Sequence, residues 1–376
     1  MEIFGFIKFL EDPRREHGRK YRLADIMYIA LCAAIASCDD WYEVEEFAKH
    51  HEELFKRKLP GLEGIPSHDT FNRVFSLIKP EKFEEAFRLW TKDIAQRYKG
   101  VVAIDGKTIR GASETASDGS ISKMHIVTAW AVENGLCLGQ QRVTEKSNEI
   151  TADPELIKAL DLKDVLITID AMGCQKKIAK TITECGGDFI FGLKKNQKQM
   201  YNTVEWWWSD IDKKHVPPTR LASYTTDGNQ HGRHEVRKYE MYSWGSDTIS
   251  MFPEWEIIRS VVRVQSQRTE NATGKTSTET RYYVSSLKLD VEKAAYAIRA
   301  HWSIENNLHW QLDVTFNEDA TRKKKNTAQN WSLISKIALP ALKKHPSKGS
   351  MKLKRRKASW DPDFMEEIIE LVYQDL

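Results

Sequence analysis

Val101-Val102-Ala103-Ile104-Asp105 and Val165-Leu166-Ile167-Thr168-Ile169-Asp170 are short apolar runs that each end on an aspartate. Apolar runs of this length bounded by polar residues read as buried strands. A carboxylate at the end of a buried strand gains nothing from the core, and an unpaired buried charge is expensive. A third acid, Glu305, lies far downstream in Arg299-Ala300-His301-Trp302-Ser303-Ile304-Glu305-Asn306-Asn307-Leu308-His309-Trp310. Three acids brought together repel one another unless divalent cations neutralise them. A pair of Mg²⁺ ions held by carboxylates is an apparatus for phosphodiester chemistry. The expectation is a metal-dependent enzyme acting on nucleic acid.

Working outward, Val101–Asp105 is the first of five expected strands. His125–Val132 and Leu136–Val143 follow, joined through Glu133-Asn134-Gly135, an Asn-Gly hairpin signal. Pro154 opens a helix through Leu160, Val165–Asp170 is the fourth strand, Gln175–Glu184 a second helix and Asp188–Leu193 the fifth strand. If strands one and four are neighbours in a mixed sheet, Asp105 and Asp170 face one cleft, which is the ribonuclease-H-like arrangement. The rhythm then breaks. Leu221–Thr226, His234–Tyr242, Ile257–Gln267 and Glu279–Leu287 are rich in β-branched and aromatic residues and predict a β-rich insertion over 200–288. Trp206-Trp207-Trp208 near its start fits core packing better than stacking on bases.

Upstream, residues 1–95 read as helical. Leu23 to Ser37 is apolar and alanine-rich, Trp41 to Phe55 carries a helical apolar stripe, and Pro66-Ser67-His68-Asp69-Thr70 offers capping residues before Phe71. Downstream, Glu292 to Leu312 reads as one long helix. On it His301, Glu305, His309 and Asp313 recur every four residues as a polar stripe, with Asp313 a reserve acid. The stripe lacks a His-Glu-x-x-His spacing, which argues against zinc.

Composition bounds the function class. The 376 residues are 41% hydrophobic and 30% charged, a globular balance with room for two or three domains. No apolar stretch approaches the roughly 20 residues a membrane span needs, and no signal peptide is evident, so an intracellular, cytoplasmic protein is expected. Five cysteines without Cys-x-x-Cys pairing predict free thiols. Net charge is only +3, but Arg322–Lys325 and residues 343–357 are basic runs, expected to contact phosphate.

The ordered motifs resemble the DDE transposases of bacterial insertion sequences, in the ISAs-type group with the H-repeat-associated proteins. Carrying the resemblance are Pro66 to Phe71, Ala103-Ile104-Asp105-Gly106-Lys107-Thr108-Ile109-Arg110-Gly111, Glu145 to Ile150 and Asp170-Ala171. His231-Gly232-Arg233, Arg281-Tyr282-Tyr283, His301 to Asn306 and Leu312-Asp313-Val314 complete the set. It implies a ribonuclease-H-like core with catalytic, metal-binding Asp105, Asp170 and Glu305, and Mg²⁺ (or Mn²⁺) as cofactor. It also implies double-stranded DNA as partner, and a homodimer acting on element ends and target.

The resulting division is a helical amino-terminal domain over 1–98, either a cap on the core or a DNA-binding module, and a catalytic core over 99–199 and 289–342. The β-rich insertion of 200–288 interrupts that core, and a basic tail and helix occupy 343–376. DNA contacts are expected from Lys107, Arg110, Lys146, Arg299, His301, Arg322 and Lys323. Related insertion-sequence transposases carry Tyr-x-x-Arg-x-x-x-Glu-x6-Lys around the glutamate. Tyr296 and Arg299 keep the first spacing here, but Arg299 precedes Glu305 by six residues rather than four. Aligned on Glu305, His301 takes the arginine position and Leu312 the lysine position. A same-fold nuclease without strand transfer and a silent DNA-binding relic of a mobile element are the alternatives.

Overall fold

The computed structural model describes residues 5–17, 19–115, 121–143, 149–160, 162–212, 219–230, 232–245 and 250–374. The chain divides into two compact units. The first comprises Met1–Arg97, Gly106–Asn148 and Ile304–Leu376, and the second Tyr98–Asp105 and Glu149–Ser303.

The first unit begins with five helices, α1 (Leu23–Ile35), α2 (Trp41–His50), α3 (Glu52–Lys58), α4 (His68–Leu77) and α5 (Pro80–Arg97). Every residue of α1 from Ile26 to Ile35 is buried, which is why that helix is apolar all round. Helix α2 starts on a capping box: the Asp40 carboxylate accepts from Glu43 N at 2.9 Å, and Asp40 N donates to Glu43 Oε2 at 3.2 Å. Ser67 caps α4, as the Pro66–Thr70 motif predicts.

Strand β1 (Val101–Thr115) is much longer than the five residues expected, and its later part belongs to this unit with β2 (Ile121–Ala131) and β3 (Leu136–Val143). β2 and β3 pair antiparallel through the anticipated hairpin. Past Ile304 come a π-helical turn (Glu305–His309) and α10 (Trp310–Val314), then α11 (Lys325–Lys344), α12 (Met351–Trp360) and α13 (Pro362–Gln374). Helix α11 is buried almost throughout and packs against α1, α4, α5 and β3 as the axis of this unit.

In the second unit the strand order is β1-β4-β5-β9-β8-β7-β6, with β4 (Leu166–Ile169) and β5 (Asp188–Leu193) parallel to β1. Helices α6 (Glu149–Leu160), α7 (Lys176–Glu184) and α8 (Lys198–Ile211) alternate with these strands. Read through β1, which is common to both units, the first five strands run β3-β2-β1-β4-β5, the ribonuclease-H-like order.

The expected β-rich segments are β6 (Leu221–Gln230), β7 (Arg233–Ser243), β8 (Ser260–Glu270) and β9 (Thr276–Ser285), an antiparallel set. They do not stand apart from the core strands. β9 pairs antiparallel with β5, Ile190 opposite Ser285 and Leu193 opposite Tyr282, so the insertion extends the sheet edge. Helix α9 (Val291–Ile304) closes the unit. Among the described residues no helix is long and apolar enough to cross a membrane, and all five cysteines are free thiols.

Candidate active site

The parallel register of β1 and β4 sets Ile104 opposite Ile169. The next residue in each case is an aspartate, Asp105 within β1 and Asp170 just past the end of β4, so the two follow the same paired position on neighbouring strands. Paired strands lie about 4.8 Å apart and the side-chain period is two, so both carboxylates emerge on one face. The turn after β4 orients Asp170, whose Oδ1 accepts the N–H of Met172 at 2.8 Å and of Gly173 at 3.3 Å.

A third carboxylate of the same unit, unforeseen in the sequence, stands close by. Asp153 on α6 is 2% exposed. Burial, then repulsion from Glu149, Asp170 and Asp105, pushes its pKa up to about 8. It makes no hydrogen bond or ion pair among the described residues, and its Oδ2 lies against Gly173, where an added Cβ would approach it to 3.4 Å. A buried carboxyl and two half-buried aspartates offer only hard oxygen donors, the kind that Mg²⁺ and Mn²⁺ prefer. Among the described residues no three His, Cys, Asp or Glu side chains are already gathered into an ion-binding group.

The last turn of α9 docks on β4. His301 Nδ1 and Thr168 Oγ1 lie 3.1 Å apart, and burial pushes the imidazole pKa down while Asp170 pulls it back up. His301 is therefore turned inward as a helix anchor, which corrects its expected role as a DNA contact.

In the first unit, Glu305 opens the π-helical turn and is exposed. The turn closes with Trp310 N–H donating to the Glu305 carbonyl, an i to i+5 bond. This corrects the uniform helix expected over 292–312: an extra residue per turn rotates His309 and Asp313 off the stripe on which His301 and Glu305 were expected to continue.

The expected DNA contacts divide sharply. Lys107 is 10% exposed, and its ammonium is surrounded by Asp313 at 2.7 Å, Glu318 at 2.9 Å and Asp319 at 3.4 Å. Lys323 is buried between the Trp41 and Trp331 rings, 4.9 and 4.3 Å from their centroids, and donates to the Asp39 carbonyl. Both lysines are committed internally, contrary to the expectation of phosphate contact. Arg110 is exposed but pairs with Asp319 at 3.3 Å. Arg322 is exposed on the rim of a 790 Å³ cavity of the first unit, and Lys146 lies outside the described residues.

The basic run 343–357 is also partly internal. Lys354 donates to the carbonyls of Leu342 and His345 at 3.0 and 2.6 Å, and Arg355 to those of Ala34 (2.7 Å) and Thr315.

Arg299 is the exception. It is exposed on α9 and lines a 660 Å³ groove of the second unit with Arg233, Arg237, Arg268 and Arg281 from β7, β8 and β9. Tyr224, Tyr296 and Trp302 line the same groove and are 38%, 51% and 37% exposed. Arg237 and Arg268 pair with Glu235 at 2.5 and 2.6 Å, and Arg281 with Glu279 at 2.8 Å. Arg233 and Arg299 make no ion pair among the described residues. Arg233, Arg281 and Arg299 stand in stretches that motifs mark in the sequence, whereas Arg237 and Arg268 do not. The five come from three strands and a helix, and their convergence has no local signal.

Residues 97–339 match the family described as Transposase DDE domain, and residues 4–91 match the one described as DDE_Tnp_1-associated. Over 374 residues the chain is 36% identical to the H repeat-associated transposase candidate YhhI of Escherichia coli K12, covering 98% of this chain and 97% of that one. Over 373 residues it is 37% identical to the transposase candidate YncI of Escherichia coli O157:H7, covering 98% and 94%. A cryo-EM structure of a piggyBac transposase synaptic complex with hairpin DNA aligns with 96% of this chain and 78% of that one. Its TM-score of 0.42, at 12% identity, is too loose a likeness to bear on function.

Proposed function

The chain belongs to the transposase DDE domain family, and from that premise we propose that it cuts DNA at the ends of a bacterial insertion element and joins those ends to target DNA. The observation that carries this reading is the register of β1 and β4, which delivers Asp105 and Asp170 to one face. Asp105, Asp170 and Glu305 would hold two Mg²⁺ ions, with Mn²⁺ able to replace them. Divalent ions bound by such carboxylates lower the pKa of an attacking water and offset charge on the phosphodiester oxygens.

The chain's own groups do the positioning. Two backbone N–H groups hold the Asp170 carboxylate in one orientation. His301, through Thr168, anchors the last turn of α9, and Glu305 follows one residue after that helix ends. Asp153, buried beside the two aspartates, adds a carboxyl that their charges and burial hold back from ionising. Arg233 and Arg299 offer unpaired cations to the DNA backbone along the groove. A dimer acting on paired ends completes the proposal.

The test is cleavage of DNA carrying the element's own ends, with Mg²⁺ or Mn²⁺. Asp105→Asn is expected to abolish cleavage while leaving DNA binding intact. Cleavage retained in this variant would sink the assignment of Asp105. Pre-cleaved ends offered with target DNA separate a transposase from a nuclease, since only the former produces joined strands.

A further inference from the structure

Asp105-Gly106-Lys107-Thr108-Ile109-Arg110-Gly111 is longer than a metal ligand alone requires, and the residues after Asp105 have a separate use. Within the first unit, β1 from Lys107 to Gly111 is the seat for the segment that follows the Glu305 turn.

Three independent contacts build that seat. Lys107 Nζ meets carboxylates of Asp313, Glu318 and Asp319, and burial, which alone would lower its pKa, is outweighed by Glu318 and Asp313 so that the ammonium is held charged. Arg110 N–H donates to Asp319 Oδ1 at 3.1 Å. Gly111 lies so close to the segment that a Cβ there would fall 2.8 Å from the Asp319 carbonyl oxygen and nearer still to that of Thr321. Only glycine fits such an approach.

The clamp is also braced from behind. The other oxygen of Glu318 accepts from Ser332 Oγ at 2.6 Å, and Ser332 Oγ accepts from Lys336 at 3.2 Å. Lys336 donates in turn to Gln140 at 2.6 Å, and Gln140 to Glu84 at 3.0 Å. A buried polar chain therefore runs from Lys107 into α11, β3 and α5.

We infer that Lys107 is a positioning residue, its ammonium clamping Asp313, Glu318 and Asp319 so that the helical turn bearing Glu305 is held on β1, the strand to which Asp105 itself belongs. Asp313 stands on α10, which continues directly from the Glu305 turn. Leu308 and Leu312, both fully buried, fasten the same stretch by packing. Packing alone leaves rotation and sliding of that stretch open, whereas a single cation shared by three anions is directional. Without it three like charges remain within a few ångströms of one another, and the segment moves apart. The catalytic consequence rests on the proposed role of Glu305, while the clamp itself does not.

The test uses the full-length protein. Hydrogen–deuterium exchange without metal compares Lys107→Met and Lys107→Arg with the parent. Lys107→Met is expected to raise exchange of amides 305–321 roughly tenfold or more while helices 23–58 keep parental rates. Lys107→Arg, which keeps the charge, is expected to stay near the parent. In cleavage, Lys107→Met should lower kcat and raise the Mg²⁺ concentration for half-maximal rate without changing KM for DNA, and Lys107→Arg should restore much of both.

Parental exchange over 305–321 in Lys107→Met overturns the inference, as does loosening spread evenly through the first unit. Should Lys107→Met not fold, the triple variant Lys107→Met, Glu318→Gln, Asp319→Asn removes the repulsion. It is expected to fold with 305–314 still exchanging fast, and parental exchange there overturns the clamp. If the parent itself does not cut DNA, the functional reading fails, and the exchange arm still decides the clamp.

Discussion

Basic residues do opposite work in the two units. In the first, Lys336, Lys354 and Arg355 are buried and Lys107 is half-buried, each committing its donors to carboxylates, side-chain oxygens or backbone carbonyls of the same unit. In the second, Arg233 and Arg299 stand exposed on a groove with Tyr296 and Trp302. A count of lysines and arginines along the chain marks the first unit's runs at 322–325 and 343–357 as the nucleic-acid surface. Burial thins those runs: Lys323, Lys354 and Arg355 are inside, while Arg322, Lys324, Lys344, Lys348, Lys352 and Arg356 stay exposed. A buried cation must be satisfied internally or not be charged, and one so satisfied has no donors left for phosphate.

The largest effect that would break this contrast is at Arg355. Arg355→Ala leaves the carbonyls of Ala34 and Thr315 without their donor. Buried acceptors stranded in this way cost about 3 kcal/mol together. The expected outcome is a thermal midpoint several degrees lower in calorimetry, with the folded protein binding DNA as the parent does. Weaker DNA binding at unchanged stability would show that Arg355 acts outward.

Next in size is the groove. Arg299→Ala and Arg233→Ala are each expected to weaken DNA binding about tenfold, near 1.4 kcal/mol, and to reduce the slope of log K against log salt by about 0.7–0.9 for each phosphate no longer neutralised. Thermal stability should stay unchanged, since neither residue makes an ion pair among the described residues. Fluorescence anisotropy over a salt series reads both numbers, and an unaltered slope would remove the groove from the DNA path.

The smallest effect is at Lys323, whose pKa burial pushes down to about 8 from the ordinary 10.5, with Asp39 and Asp40 pulling it back up. A depressed ammonium pKa means that folding carries the cost of a buried charge below about pH 8. The cost is relieved as pH rises from about 8 through 10.5, where the native protein gives up the proton before the unfolded chain does. Lys323→Met loses the two ring contacts and the hydrogen bond to the Asp39 carbonyl together with the cost of the buried charge, so stability at pH 7 is expected to change by less than about 1 kcal/mol. The parent's gain in stability between pH 8 and 10.5 should be missing from the variant. Denaturant titrations at three pH values check both.

Local signals make much of the fold legible. The Asp40–Glu43 box and the Ser67 cap start helices where their spacing says they must, and the Asn-Gly turn joins β2 to β3. The apolar runs before Asp105 and Asp170 are strands, as their shortness and their valine and isoleucine content favour over a buried helix like α1. Partners are less legible. A strand's pattern states which face is buried but not which neighbour it takes, so the pairing of β9 with β5, and with it the sheet-extending insertion, has no local signature. The π-helical turn at Glu305 is hidden for a related reason. Its sequence carries the same apolar spacing as an ordinary helix, with Leu308 and Leu312 both buried across it.

The sequence by itself determined the two aspartates that follow apolar strand runs, the order of elements around them and the family to which the chain belongs. These depend on neighbours a few residues apart or on motifs in fixed order, which are written directly in the chain. The tertiary structure alone decided that Asp153 stands with those aspartates, that five arginines from four elements share a groove, and that Lys107 faces three carboxylates. Charge is a property of a residue, but its free energy is a property of its surroundings. The acids that surround Lys107 lie more than 200 positions away along the chain.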